Sequence, residues 1–169
     1  MNTGCLNLSR GGEYAIAALT RLALESGGAP GKLVSVRVLA ENQGLPKTFL
    51  SKILEHCLRA GLIVSKSGSR GGVGLARPAA EISLLDILEA CEGTYQRTDC
   101  VFYADRPCEG PECVVFCPLR KREEDVRLSL AKTTLAEMAR SLEVHPLNDV
   151  PAAERQAAPA APGITQGGR

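Results

Sequence analysis

The region between residues 36 and 60 places the strongest constraint on the fold, because it holds two helical patterns separated by only a short connection. The first pattern follows Ser35, a favourable N-cap residue, and ends at Gly44, which suits the left-handed conformation that closes many helices. The second repeats apolar pairs at helical spacing over residues 47–60 and ends at Gly61. The tight connection predicts a helix-turn-helix whose second helix has a polar, partly basic outer face.

A glycine-rich basic stretch follows these two helices. Two short apolar runs, residues 62–64 and 73–75, flank residues 65–72, and this arrangement predicts a β-hairpin. A hairpin directly after a helix-turn-helix forms a wing. The apolar spacing from Tyr14 to Ala23 predicts one further helix ahead of them.

Two Ser/Thr-x-x-acid patterns predict capped helices in the second half of the chain: Ser83 with Asp86, and Thr134 with Glu137. Between them, Pro118 suits the first turn of a long helix. This long helix is amphipathic, and the chain has no further domain that its apolar face could cover. We therefore expect the helix to pack against a second copy of the chain.

The chain is therefore expected to have four parts. Residues 6–92 form a winged helix-turn-helix, and residues 93–117 form a cysteine-rich loop. Residues 118–145 form the dimerisation helix and a short C-terminal helix. Residues 146–169, rich in Pro, Ala, Gln and Gly, are expected to be disordered. The predicted fold class is mainly α with a small β-hairpin wing.

Charge is distributed unevenly along the chain. Residues 1–80 hold ten Lys/Arg and four Asp/Glu, a net charge of +6, while residues 81–169 carry −5. This split predicts a polyanionic partner for the front half alone. No segment approaches the run of about eighteen apolar residues that spans a membrane, and the first ten residues lack an export pattern. We therefore expect a cytoplasmic protein with no membrane partner.

The candidate contacts to DNA lie on the second helix of the helix-turn-helix and in the wing. Hydroxyl and ammonium groups on the helix suit phosphates and base-edge acceptors in a major groove, and basic residues in the wing can reach phosphates or a minor groove. A solvated helix face and a hairpin made basic for solubility are the alternatives. The candidates are Lys47, Thr48, Ser51 and Lys52 on the helix, and Lys66, Ser69 and Arg70 in the wing.

Four of the seven cysteines, Cys100, Cys108, Cys113 and Cys117, lie within eighteen residues. Their spacing lacks the paired C-x2-C knuckles of structural zinc and does not match the common ferredoxin patterns. Thiolates are soft ligands that suit zinc or iron-sulfur clusters. The start of the long helix at Cys117 favours the metal-binding thiolate. The cluster predicts a metal or redox centre, with a surface loop that binds nothing as the alternative.

The other cysteines and the histidines indicate no catalytic site. Cys57 and Cys91 lie on apolar helix faces, where a free cysteine usually acts as a small buried hydrophobe. His56 and His145 lie outside the cysteine-rich loop, and no Ser/His/Asp or paired-carboxylate set is evident. We expect the chain not to be an enzyme. A thiol-disulfide enzyme has little support, because no C-x-x-C pair follows a strand.

Motifs of several kinds carry a resemblance to a known family. In chain order they are Leu8-Ser9, Glu13-Tyr14-Ala15, Leu39-Ala40, Gly44-Leu45-Pro46, Leu50, Ile53-Leu54, Ala60-Gly61-Leu62, Gly71-Gly72, Leu75-Ala76-Arg77-Pro78, Glu81-Ile82-Ser83, Asp86-Ile87, Cys117-Pro118-Leu119-Arg120 and Thr134-Leu135-Ala136-Glu137-Met138. Their kinds and order resemble the Rrf2 family of bacterial winged-helix regulators, from about residue 6 to residue 142.

The resemblance implies a homodimer crossed through its long helices, with an iron-sulfur cluster, 2Fe-2S or 4Fe-4S, in the loop before each long helix. It implies two winged helices that read a pseudo-palindromic operator in double-stranded DNA. Such a protein is expected to repress transcription and to sense redox state, nitric oxide or iron-sulfur supply. A winged-helix protein with structural zinc, or with no cofactor, is the alternative.

The resemblance also implies a ligand set. Family members generally use three cysteines, the last just before the long helix, and Cys100, Cys108 and Cys117 fill those places best. Cys113 departs from the pattern and is a candidate substitute ligand. Glu13 matches an acidic residue that redox-sensing members donate from the first helix across the dimer. An exposed first-turn carboxylate near the helix dipole is the alternative for Glu13.

Three positions depart from the family pattern. Ala17 stands where redox-sensing members have a histidine ligand. In the wing, Ser67 replaces the usual basic residue and Val73 replaces the usual aromatic residue. The ligand set and the operator preference are therefore expected to differ from those of other members.

Overall fold

The computed structural model describes residues 8–68, 71–93 and 116–144. The described residues form six α-helices, one short 3-10 turn and a two-stranded hairpin. In chain order these elements are α1 (Arg10–Ser26), α2 (Val36–Gln43), α3 (Lys47–Arg59), β1 (Ile63–Lys66), β2 (Gly72–Leu75), the 3-10 turn (Ala79–Glu81), α4 (Leu84–Glu92), α5 (Phe116–Lys132) and α6 (Leu135–Val144). The predicted fold class, a winged helix-turn-helix followed by a long helix, is confirmed.

Local capping chemistry sets most of the helix ends. The side chain of Ser9 accepts a hydrogen bond from the Gly12 N–H at 3.1 Å and starts α1. Gly44 closes α2 at φ +62°. Ser35 lies at the N-cap position of α2, as predicted, but its side chain makes no capping hydrogen bond. The predicted end of α2 at Gly44 is therefore confirmed, whereas the Ser35 side chain does not cap its start.

Both predicted capping boxes are present. The Ser83 hydroxyl accepts from the Asp86 N–H at 3.1 Å, and the Asp86 carboxylate accepts from the Ser83 N–H at 2.9 Å. Thr134 and Glu137 exchange equivalent bonds at 3.2 and 2.8 Å. Pro118 lies in the first turn of α5, as predicted. These helix starts follow from local sequence alone, because each pair is only three residues apart.

The wing has one pairing that the sequence did not indicate. Strands β1 and β2 pair antiparallel, with Lys66 opposite Gly72. In addition, Val34 and Val73 exchange two backbone hydrogen bonds, of 2.8 and 2.9 Å. A Cβ atom at Gly72 would overlap the Val34 carbonyl, so glycine is needed for this approach. The segment before α2 thus fixes the base of the wing.

The hydrophobic core continues beyond the predicted end of the winged helix at residue 92. Leu135 of α6 is fully buried and Ala139 is 8% exposed, and both belong to the core that α1, α3 and the hairpin form. The Leu135 N–H also donates to the Ile82 carbonyl at 2.7 Å. Helix α6 therefore packs as part of the same core as α1. The large, fully buried side chains of the described residues are Leu19, Leu22, Leu39, Leu50, Cys57, Leu62, Ile63, Leu75, Ile82, Ile87, Leu88 and Leu135.

Helix α5 packs partly on its own chain. Leu130 and Val126 contact Leu85 and Leu88 of α4. The expectation that α5 has nothing in its own chain to cover is therefore wrong for its C-terminal half. Leu128 lies outside this contact and is 45% exposed. Across the described ranges, no helix is both long and apolar enough to cross a membrane.

Candidate nucleic-acid interface and metal site

Helix α3 has one buried face and one exposed face. Its buried face holds Leu50, Ile53, Leu54 and Cys57. The four helix residues predicted to contact DNA all lie exposed on the other side: Lys47, Thr48, Ser51 and Lys52. The structure thus brings these four side chains together on the first two turns of α3, open to solvent.

The positive charge on this face is concentrated at its two lysines. Arg59 near the end of α3 is paired with Glu55 at 2.5 Å, and Arg37 on α2 is paired with Glu41 at 2.8 Å. Exposed pairs of this kind add little stability, but each cancels a local charge. Lys47 and Lys52 form no ion pair with another described residue, so they are available to an anionic partner.

An aromatic contact that sequence reasoning missed fixes the start of α3 against α1. The rings of Tyr14 and Phe49 meet edge to face, with centroids 5.7 Å apart and planes at 88°. This geometry is a favourable arrangement for two aromatic rings. Phe49 lies between the exposed residues Thr48 and Ser51, so the position of α1 influences the placement of this face.

The wing is described only in part. Lys66 is exposed at the end of β1. Ser69 and Arg70, the other predicted contacts in the wing, lie outside the described residues. Of the three candidate residues in the wing, Lys66 is therefore the one that the structure describes.

The predicted metal site is also described only in part. Cys100, Cys108 and Cys113 lie outside the described residues, and Cys117 lies in the first turn of α5. Glu13 lies in the first turn of α1, exposed, with Arg10 at 3.6 Å. Within residues 8–68, 71–93 and 116–144, no three His, Cys, Asp or Glu side chains converge as a metal site would require.

A long-range hydrogen bond ties the last residue of α4 to the N-cap residue of α1. The Ser9 N–H donates to the carboxylate of Glu92 at 2.8 Å. Gly12 makes room for this carboxylate, because a Cβ atom there would overlap it. The last turn of α4 therefore lies beside the first turn of α1, which carries Glu13. Sequence reasoning missed this contact, since the two partners are 83 residues apart.

Comparisons with known proteins identify the family of the chain. The model of the Rrf2 family, described as iron-dependent transcriptional regulators, matches residues 8–141. A putative HTH-type transcriptional regulator of Mycobacterium tuberculosis is 34% identical over 134 residues, which cover 79% of this chain and 81% of the relative. IscR of Vibrio atlanticus is 28% identical over 145 residues, which cover 85% and 81%.

Two solved structures share the fold. IscR of T. potens superposes with a TM-score of 0.65 at 28% identity, over 85% of this chain and 93% of that one. CymR of B. subtilis, described as a global cysteine regulator, superposes with a TM-score of 0.67 at 24% identity, over 80% and 98%.

The fold, the exposed face of α3 and these similarities define a winged-helix transcriptional regulator that binds DNA. More closely, the chain belongs to the Rrf2 family. Its relatives and structural neighbours are regulators of transcription and not enzymes, which confirms the expectation drawn from the absence of a catalytic pattern.

Proposed function

We propose that this Rrf2-family regulator binds a pseudo-palindromic operator as a homodimer and represses transcription under the control of an iron-sulfur cluster. The signal is redox state, nitric oxide or iron-sulfur supply. The observation that carries the proposal is the spacing of four cysteines that follow α4 in the sequence, the last of which lies in the first turn of α5. We further propose that the protein acts in the cytoplasm.

The DNA contacts are assigned to α3 and the wing. Lys47 and Lys52 neutralise phosphates, Thr48 and Ser51 donate to phosphates or base edges, and Lys66 with Ser69 and Arg70 contacts the flanking backbone. The two winged helices of a dimer read two half-sites, so the operator mirrors the two-fold symmetry of the protein. Helix α5, with the exposed Leu128, supplies the dimer contact.

The donor set fits an iron-sulfur cluster. Cys100, Cys108 and Cys117 would hold it, with Cys113 or the partner subunit's Glu13 as the fourth ligand. Thiolates are the ordinary ligands of such clusters. When bound, the cluster supplies reversible electron exchange and a site that oxidants and nitric oxide attack. The exposed Glu13 carboxylate, paired only loosely with Arg10, is free to change partner.

Coupling to DNA would pass through α1. A ligand can shift a conformational equilibrium only when its contacts differ between the two states. Glu13 precedes Tyr14, whose ring contacts Phe49 on α3. A change in the ligation of Glu13 would therefore move the residue next to Tyr14, and Tyr14 is the residue through which α1 contacts Phe49 of α3. This short path supports α1 as the connection between the cluster and the DNA-binding face.

The cluster assignment is tested by metal analysis of protein purified without oxygen. The expected sample is brown, absorbs in the visible region, and contains iron and acid-labile sulfide. Colourless anaerobic protein with stoichiometric zinc would contradict the proposal and would favour structural zinc, since the same thiolates also suit that metal.

A further inference from the structure

The wing leaves the body of the domain at the pair formed by Lys66 and Gly72. Lys66 is the last residue of β1, Gly72 is the first residue of β2, and the two lie opposite each other in the hairpin. Residues 67–71 connect the two strands and include Arg70, the other basic residue of the wing. The pair therefore marks the place where the wing is attached to the rest of the domain.

A further stretch of backbone, just ahead of α2, runs along β2. The Gly31 N–H donates to the Leu75 carbonyl at 3.0 Å, and Val34 exchanges two hydrogen bonds with Val73. Ser35, the next residue of this stretch, is the N-cap of α2. The backbone that starts the helix-turn-helix is therefore the same backbone that pairs with the second strand of the wing.

Gly72 makes the contact between this backbone and the wing possible. A Cβ atom at residue 72 would overlap the Val34 carbonyl group and would lie 3.2 Å from the Ser35 nitrogen. These are backbone atoms, which cannot rotate away as the end of a flexible side chain can. A side chain at residue 72 would therefore push the Val34–Ser35 peptide away from β2, and with it the start of α2.

We propose that Gly72 is a positioning residue for DNA binding, which holds the wing at a fixed distance from α3. The inference rests on the proposed DNA contacts, since it requires Lys66 and Lys52 to engage one operator at the same time. Two contacts on one rigid body reinforce each other, because the first contact places the second within reach of its phosphate. A wing that moves independently of α3 loses this advantage, and its basic residues then add little to the affinity.

A purely structural role for Gly72 is the alternative, in which a side chain there would unfold the domain. The position of Gly72 at the edge of the core argues against this role. Val73 is 4% exposed and Leu75 is fully buried, so these two side chains keep β2 anchored when its first residue shifts. Gly72 itself is only partly buried. We therefore expect Gly72→Ala to change the attachment of the wing while the domain remains folded.

The test is a set of operator affinities, measured over a range of salt concentrations with operator DNA selected from a random-sequence library. Gly72→Ala should weaken binding and reduce the slope of log K against log salt by up to about 2, because the wing carries two proposed phosphate contacts, Lys66 and Arg70. Gly11→Ala makes the same chemical change in α1, where the added Cβ atom would meet only the Ser9 hydroxyl, at 3.5 Å. This matched control should keep the parent slope.

A double-mutant cycle separates the positioning role from a general loss of stability. In a chain that carries Lys66→Ala and Arg70→Ala, the wing has no charge left to position, so adding Gly72→Ala should change the affinity by less than about twofold. In a chain that carries Lys52→Ala, the wing is intact, so adding Gly72→Ala should reduce the affinity by the same factor as in the parent. The inference is overturned if Gly72→Ala weakens binding equally in both chains, or if it leaves the affinity of the parent unchanged.

Failure of the proposed DNA contacts would give a different result. The chain with Lys66→Ala and Arg70→Ala would then bind as tightly as the parent, and the positioning role would be lost together with the wing contacts. Where Gly72→Ala does not fold, Val34→Pro decides the question, because it removes the N–H that donates to the Val73 carbonyl and adds no atom at residue 72. Its effect on affinity should also disappear once the two wing charges are removed, and an undiminished effect would overturn the inference.

Discussion

The carboxylate of Glu92 accepts a hydrogen bond from the Ser9 N–H at 2.8 Å, and this bond joins the last turn of α4 to the first turn of α1. The same carboxylate lies where a side chain at Gly12 would be. The contact fixes the end of α4, after which the cysteine-rich segment begins, against the N-terminus of α1.

Gly12→Ala should break the Ser9–Glu92 hydrogen bond, because the added methyl group displaces the flexible Glu92 side chain. Relative to Gly11→Ala, which gains the same helix propensity, we expect a loss of about 1 kcal/mol in the free energy of unfolding, the usual contribution of one hydrogen bond. The measurement is urea denaturation. Gly11→Ala is the matched control, since a Cβ atom there would be 3.5 Å from the Ser9 hydroxyl, an ordinary contact. Alanine is also the better helix former, so this control should be neutral or stabilising. Equal losses in both variants would show that the Glu92 contact is not the cause.

Lys52→Ala and Arg70→Ala should each weaken DNA binding and reduce the slope of log K against log salt by about 1, because each removes one phosphate contact. The operator for this measurement comes from selection out of a random-sequence library. Lys132→Ala on α5 removes the same charge from a helix that carries none of the proposed DNA contacts, and it should leave the slope unchanged. If Lys132→Ala matches the other two variants, the effect reflects net charge alone.

Glu137→Gln should change how stability depends on pH. The Thr134 N–H donates to the carboxylate and lowers the pKa of Glu137 below its ordinary value. The stability from this bond is therefore present above the ordinary pKa of glutamate and is lost as pH falls through the lower folded pKa. Denaturation curves from pH 7 down to about pH 3 should show this acid loss in the parent chain and less of it in the variant. Glu143→Gln, on the same helix, is the control and should keep the parent profile.

Leu135→Ala should cost about 2–5 kcal/mol of stability, because it leaves a cavity in the core shared by α1 and α6. The midpoint of urea unfolding measures this loss. Val38→Ala, at a side chain that is 42% exposed, should change stability by no more than about 0.5 kcal/mol. A small effect of Leu135→Ala would mean that α6 is dispensable to the domain.

Local chemistry explains which parts of the fold could be predicted. Two helix starts are specified within four residues each, by Ser83 with Asp86 and by Thr134 with Glu137. Gly44 ends α2 because its own backbone adopts the left-handed conformation. The exposed face of α3 follows from helical periodicity. These features depend on short-range patterns, which a single sequence displays.

Contacts between distant residues explain what could not be predicted. Nothing in the sequence pairs Val34 with Val73, or Ser9 with Glu92, because each contact depends on how the elements pack. Cys57 and Cys91 were each correctly assigned to an apolar helix face. For the candidate ligands, the sequence supplied the cysteine spacing, and the described residues add only the positions of Glu13 and of Cys117 in α5.

The most direct test of the account is the DNA affinity of one anaerobic preparation before and after its cluster is removed, with iron and acid-labile sulfide quantified in the same samples. Both samples are kept reduced, so that no thiol changes its oxidation state. If the cluster controls operator binding, the two dissociation constants should differ by about 5- to 150-fold, the usual range of coupling between two sites. Equal dissociation constants in samples that differ fully in iron and sulfide would contradict the claim that the cysteine-rich segment regulates the DNA-binding face.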